Sequence, residues 1–264
     1  MAPPPTPRIA SLVPSLTELA VTLGLGPQLV ARTGYCIHPA ELLAAVPKVG
    51  GTKDVNLTKL RRLAPTHVLL NIDENRRETV DALRAWATDA PQLVVTHPLA
   101  PRDNLALVEQ FVAVFGHVEG VHDRAAALMQ ALRTELALTG HGARAERRVL
   151  YLIWRDPWMT VARDTYLSNM LALVNWRTCP ATQGGPTGAA RYPVVHGNEP
   201  WLADVERVLL SSEPYAFSAA HLAEARRLCP NASATLVDGE LLSWYGARAV
   251  PGLRYLRALA AEHA

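Results

Sequence analysis

An α/β fold in two lobes is predicted by three features of the sequence. Apolar strands alternate with amphipathic helices along nearly the whole chain, the pattern of parallel sheets with helices packed on their faces. The two halves repeat one order of elements, and a single long helical segment lies between them.

The first half reads as strand Ile9 to Val13, helix Ser15 to Leu23, strand Leu29 to Arg32, helix Leu57 to Leu63, strand Val68 to Asn71, helix Arg76 to Trp86, strand Leu93 to Val95 and helix Asn104 to Phe115. The second half reads as strand Val149 to Trp154, helix Tyr166 to Val174, helix Trp201 to Val205, strand Val208 to Ser211, helix Ala219 to Leu228, strand Ala234 to Val237 and a terminal helix from Pro251. The segment Asn56 to Leu70 parallels Pro200 to Leu210, each a short helix feeding a buried strand. Two lobes of one plan explain this; independent arrival at ordinary α/β units is the other explanation.

Between the halves, Val121, Ala125, Leu128, Met129, Leu132 and Leu136 recur at helical spacings of three or four, flanked by Gly116, Gly120, Gly140 and Gly142. One helix of about five turns, roughly 27 Å long, is expected there. As a stiff connector it would let two lobes face each other across a cleft with limited hinge motion; as an ordinary surface helix it would belong to a single domain. The division expected is 1–116, a connecting helix over 117–142, and 143–264.

The 264 residues are 49% hydrophobic and 19% charged, enough to bury two cores. The 26 basic and 24 acidic residues nearly cancel, so neither nucleic acid nor anionic lipid is an expected partner. Cys36, Cys179 and Cys229 have no paired spacing and read as reduced thiols. No apolar run is long enough to span a membrane. Met1 to Arg8 is Pro-rich, with no charged region, apolar core or cleavage site before Ile9, so the chain reads as cytoplasmic, or periplasmic if a leader has been removed.

In open α/β sheets ligands sit beyond the carboxyl ends of strands, and four loops there carry chemistry. In Gly34 to Pro39, Tyr35, Cys36 and His38 offer an aromatic face, a thiol and an imidazole; alone, His38 reads as a surface or capping residue. In Asn71 to Glu78, Asp73 and Asn75 are candidate polar contacts, or caps of the following helix. In Tyr151 to Tyr166, Trp154, Arg155, Trp158 and Arg163 join flat apolar surface to cationic groups suited to carboxylates, phosphates or π faces. Either tryptophan could instead pack in the core. In Ser211 to Phe217, Glu213, Tyr215 and Phe217 again join a carboxylate to aromatics, and Trp244 offers a further wall. His38 and His196 are candidate ligands of a bare metal ion. Glycine-rich nucleotide loops, zinc-protease and nucleophile-elbow motifs are absent from the sequence.

Arg8-Ile9-Ala10-Ser11-Leu12-Val13-Pro14-Ser15-Leu16-Thr17-Glu18-Leu19, Val49-Gly50-Gly51-Thr52-Lys53-Asp54-Val55-Asn56-Leu57-Thr58-Lys59-Leu60 and Pro65-Thr66-His67-Val68-Leu69-Leu70 together resemble the solute-binding proteins with a helical backbone, which receive cobalamin, ferric siderophores and haem for ABC importers. Trp154 to Thr165 is similar to a cobalamin-binding-like subgroup that includes members without export signals. The resemblance implies two Rossmann-like lobes joined by one backbone helix, with a ligand cleft between them. It implies a bulky metal chelate as ligand, cobalamin or another corrinoid first, then haem or a ferric siderophore, held without covalent chemistry. Tyr35 and its neighbours, the Asn71 to Asn75 loop, Trp154 to Trp158 and Glu213 to Phe217 would surround it. Glu74 or Glu78 would correspond approximately to the acidic residues with which exported members dock on a permease. The enzymatic alternative is a tetrapyrrole or metal chelatase using His38 or His196 with Glu213, and a third option is an interaction protein with a vestigial cleft.

Overall fold

A computed structural model describes residues 6–140 and 144–262. His141 and Gly142, at the end of the expected connecting helix, lie outside the described residues, as do the first five residues.

The first unit holds the chain up to Pro98 together with Asp103–Leu132 and Tyr245–Arg248. Its sheet contains β1 (Ile9–Ser11), β2 (Leu29–Arg32), β3 (His67–Asn71) and β4 (Gln92–Thr96), all parallel, in the order β2-β1-β3-β4. Strand β1 is buried along its whole length, because helices cover both faces of a parallel sheet. Ala10, Leu12, Ala31, Val68 and Leu70 form the centre of this core, with Leu60 and Leu83 from the helices before and after β3.

The helices of this unit are α1 (Pro14–Thr22), α2 (Ala40–Leu43), α3 (Leu57–Arg62), α4 (Arg77–Arg84) and α5 (Asp103–Phe115). Pro14 opens α1 where its missing N–H costs nothing. Asn56 caps α3, its side-chain oxygen accepting from Lys59 N at 2.8 Å.

The second unit holds Leu99–Arg102, Arg133–Trp244 and the chain from Ala249. Its sheet contains β5 (Arg147–Leu152), β7 (Trp176–Thr178), β9 (Arg207–Ser211) and β10 (Ser233–Val237), again all parallel, in the order β10-β9-β5-β7. Read from the other edge, β7-β5-β9-β10 repeats the first sheet's order of second, first, third and fourth strand. The predicted repeat is thus a repeat of topology as well as of pattern. A two-stranded antiparallel ribbon, β6 (Trp158–Met159) with β8 (Val194–Val195), is added to it. The helices are α7 (Tyr166–Ala172), α8 (Leu222–Leu228), α9 (Gly239–Ser243) and α10 (Ala249–Glu262).

Helix α6 (Val121–Gly140) is the long helix between the halves, and the two units divide within it, between Leu132 and Arg133. The expected boundaries at 116 and 142 therefore differ from this division, and the segments 99–102 and 245–248 each belong to the unit that the chain order would not give them. In the second unit Glu135 of α6 is buried and accepts from Arg254 Nε at 2.6 Å and from Arg257 at 2.5 Å, tying α6 to α10. The two guanidinium groups hold its carboxyl below the ordinary glutamate value against the opposing effect of burial.

Strand β5 stops at Leu152, short of the predicted Trp154. The backbone there turns instead, Met159 N donating to Trp154 O at 3.2 Å and Ile153 N to Met159 O at 2.9 Å. The predicted helix over 201–205 is a short 3₁₀ turn, Pro200–Asp204, as suits a stretch opened by proline and too short for regular α hydrogen bonding.

Candidate functional site

In the second sheet the strand order reverses between β5 and β9, since the next strand after β5 lies on one side of it and the next after β9 on the other. Loops leaving neighbouring strands at such a point part from each other and leave a crevice at the carboxyl ends. The third and fourth predicted loops leave these two strands, and the fold brings them together: Tyr215 N donates to Ile153 O at 3.3 Å.

Aromatic side chains fill the junction. Trp154 meets Tyr215 edge-on at 5.7 Å between centroids, Tyr215 meets Phe217 at 4.7 Å, and Phe217 lies parallel to Trp158 at 5.9 Å. The assembly is graded in exposure. Phe217 belongs to the core of this unit, Trp158 and Tyr215 pack partly against it, and Trp154 remains 41% exposed. The guanidinium of Arg155 lies 4.7 Å from the Trp158 ring centre and is fixed by Glu224 at 2.8 Å and by Asp156. In the ribbon Met159 is paired with both Trp154 and Val194, so these three stand on one face, opposite the face on which Trp158 and Val195 turn inward.

Glu213 lies in the same loop as Tyr215 and Phe217 and is held by another segment of the unit. Its Oε1 accepts from Ser243 Oγ at 2.9 Å and from Trp244 Nε1 at 2.7 Å. Gly239 is what lets the two segments approach, because a Cβ there would overlap Ser211 Oγ and come within 2.8 Å of Glu213 Cγ. Burial pushes the Glu213 carboxyl above the ordinary glutamate value, opposed by its two donors and assisted by the nearby negative charges of Glu240 and Asp238.

A pH dependence follows. The folded chain binds a proton at Glu213 over a range in which the unfolded chain has released it, so this group's contribution is complete below the ordinary glutamate value and is lost as pH rises through the folded one. Glu213→Gln keeps a carbonyl acceptor for Ser243 and Trp244, and is expected to flatten the fall in stability above pH 5. Urea unfolding of both proteins at pH 5 and pH 8 checks this; equal pH slopes would contradict it.

Three predicted contacts are committed to the structure. Cys36 is fully buried, its thiol 3.1 Å from Thr33 Oγ1 and raised in pKa by burial, so it offers no accessible sulfur. Asn75 is buried; its amide donates to Thr52 O and Leu12 O while its oxygen accepts from Asn71 N, joining three loops of the first unit. Trp244 is 7% exposed and serves as a donor to Glu213. Arg163 lies away from the four rings, its Nε donating to Thr178 O at 3.1 Å beside β7.

In the first unit the order reverses between β1 and β3, and Asp73 follows β3. Its carboxylate lies 3.4 Å from His97 Nε2, and its backbone oxygen accepts from Lys53 Nζ at 2.6 Å. Burial draws the Lys53 ammonium below its ordinary pKa, against the attraction of Glu74 and Asp73. Tyr35 is 65% exposed and stands over Gly51, where a Cβ would lie 3.3 Å from its ring. Glu74 accepts from Tyr245 OH at 2.7 Å, whereas Glu78 is exposed.

His38 is half-buried in the first unit, and His196 is exposed in the second, its backbone N–H donating to Glu199. No three histidine, cysteine or carboxylate side chains gather among the described residues, so the bare-metal site expected of His38 and His196 has no donor cluster to rest on.

No protein-family model matches the chain. It is 28% identical over 184 residues to an uncharacterized ABC transporter substrate-binding lipoprotein, YvrC, of Bacillus subtilis, covering 67% of this chain and 57% of that one. It is 27% identical over 167 residues to a vitamin B12-binding protein of Pectobacterium carotovorum, covering 63% and 59%. The matched region thus spans less than two thirds of these relatives. The solved periplasmic vitamin B12 binding protein BtuF of Vibrio cholerae superposes with a TM-score of 0.79 over 98% of both chains at 20% identity.

The fold is that of the substrate-binding proteins. Their vitamin B12 and haem type is the family that the sequence resembles.

Within this substrate-binding fold, the sequence already offered Met159 as part of the apolar surface of the third loop, whereas His221 and Val194 were passed over. His221 stands edge-on to both Tyr215 and Phe217 and reaches Tyr215 OH at 3.2 Å, while its other nitrogen meets Ser218. The Ser218-Ala-Ala-His221 spacing of a helix start was the available signal. Val194 gave none, because its pairing with Met159 joins segments 35 residues apart.

Proposed function

We propose that the chain binds a bulky metal chelate, cobalamin or another corrinoid before haem or a ferric siderophore, through the aromatic surface at the carboxyl ends of β5 and β9. The observation that carries this reading is the meeting of Trp154, Tyr215, Phe217 and Trp158 at the point where the sheet's strand order reverses. A buried aromatic foundation under one exposed tryptophan gives a rigid apolar wall at small entropic cost, which suits a large flat ring. The vitamin B12-binding relative supports the corrinoid over its rivals. Within the first unit taken by itself, Tyr35, Asp73 and His38 are proposed as contacts for such a chelate, with Lys53 as a cation beside Asp73.

Binding without covalent chemistry fits the relatives, which are substrate-binding proteins. A chelatase pairing of Glu213 with His38 or His196 is not favoured, because the Glu213 carboxylate is held by Ser243 and Trp244. Relatives described as a lipoprotein and as periplasmic favour a place outside the cytoplasm over the cytoplasmic one. No described helix is long and apolar enough to cross a membrane. Of the two carboxylates proposed for permease docking, Glu78 is the exposed one.

Purified protein is incubated separately with cyanocobalamin, haemin and a ferric catecholate, then passed through gel filtration with absorbance recorded at each chromophore's maximum. Stoichiometric co-elution of the cobalamin is expected. Co-elution of haemin alone would move the assignment within the chelate class, and absence of all three would overturn it.

A further inference from the structure

We propose that the second unit carries a separate site for a small multivalent anion, built at the outer edge of its sheet around Arg163. Among the described residues strand β7 pairs only with β5, which makes it an edge of the sheet. Beside it a polar cavity of about 440 Å³ is lined by Arg163, Arg177, Ser168, Trp176 and Gln183, and by one carboxylate, Glu146. None of the four clustered aromatic rings lines it.

The charge is uneven there. Arg177 is offset by Glu146 at 3.4 Å. Asp164, the acid next to Arg163 in sequence, is already engaged: it accepts from Gly184 N at 2.8 Å and faces the guanidinium of Arg191 at 3.8 Å. Arg163 itself is half-buried and uses only Nε, toward Thr178 O. Among the described residues its two terminal nitrogens have no acceptor. Those nitrogens are not enclosed by protein, so they are open to a ligand, and the planar fork of a guanidinium is the group best matched to a carboxylate or phosphate.

Neutral donors surround it. The Ser168 hydroxyl, which shares a 2.5 Å hydrogen bond with Thr178 Oγ1, and the Gln183 amide supply further polar contacts, while Trp176 and Ala172 form an apolar wall. Arg163 without a paired carboxylate, Arg177 balanced by the lining carboxylate Glu146, and uncharged donors leave one net positive charge in the cavity, which we read as a receptor for a small di- or tricarboxylate or a phosphorylated small molecule.

Calorimetric titration of the purified chain with citrate and with inorganic phosphate, at ionic strength held constant with chloride, tests this without any corrinoid present. Failure of the corrinoid assignment therefore leaves its outcome untouched. Saturable binding is expected for at least one of the two probes, weakened at least tenfold in Arg163→Gln. Should that variant lose its far-UV circular dichroism, Gln183→Ala, on the exposed side of the cavity, replaces it, with an expected weakening of about threefold. Citrate alone would assign carboxylates, and phosphate alone would assign phosphorylated ligands. No saturable heat from either probe at 10-millimolar order, or variants that bind as the parent does, would overturn the proposal.

Discussion

Replacing Trp154 with alanine is expected to weaken cyanocobalamin binding by about 1–3 kcal/mol, roughly 5- to 150-fold in Kd, while leaving the unfolding midpoint in urea nearly unchanged. The two effects separate because of where the ring stands. Trp154 is the exposed member of the aromatic group, in contact with Tyr215 but outside the core. Trp158→Ala is the informative contrast. It removes a ring packed against Phe217 and lying under Arg155, so stability and affinity should fall together. Titrating both variants by absorbance and unfolding both in urea decides the matter. If Trp154→Ala unfolds easily and binds normally, the ring is structural and the site lies elsewhere.

A second large effect is expected from Arg191→Leu. Arg191 is 1% exposed, and donates to Gly185 O at 2.7 Å and to Asp164 O at 3.3 Å. The chain folds around it closely, since a Cβ on Gly184 would collide with the Arg191 backbone. Leucine fills part of the volume but leaves the Asp164 carboxylate half-buried with its cation removed, and two backbone oxygens without their donor. Removing one partner of a buried pair costs about 3–5 kcal/mol. For a chain of this size that corresponds to roughly 6–20 °C in Tm. Differential scanning calorimetry checks it, and a shift below about 2 °C would mean that water replaces the guanidinium.

The contrast between Trp154 and Arg191 shows what could be read from the sequence. Strands such as Leu29–Arg32 and Arg207–Ser211 were legible because parallel strands are continuous apolar runs, and α6 because a 3.6-residue period sustained over five turns has no other reading. The loops carrying the aromatics were legible for a topological reason: whatever follows a strand in a parallel sheet emerges at its carboxyl end. Facing was not legible. Trp154 and Trp244 are the same residue type in similar loop contexts, yet one is exposed and the other sits under Glu213, a difference set by packing against residues dozens of positions away. Arg191 was invisible for the same reason, since sequence statistics place arginine on surfaces and only the closure of the loop after β7 withdraws it. The ribbon of Trp158–Met159 with Val194–Val195 is too short for any periodicity.

The single hydrogen bond from Tyr215 N to Ile153 O has one more consequence. Two short loops carry the aromatic group, one leaving the sheet after Leu152 and the other after Ser211, and within them Phe217 and Trp158 pack on the sheet's core while Trp154 stays outside it. Chemical taste and mechanical support are thereby divided residue by residue within the same few turns of chain, so a lineage could change the outermost ring while the rings that carry load stay as they are.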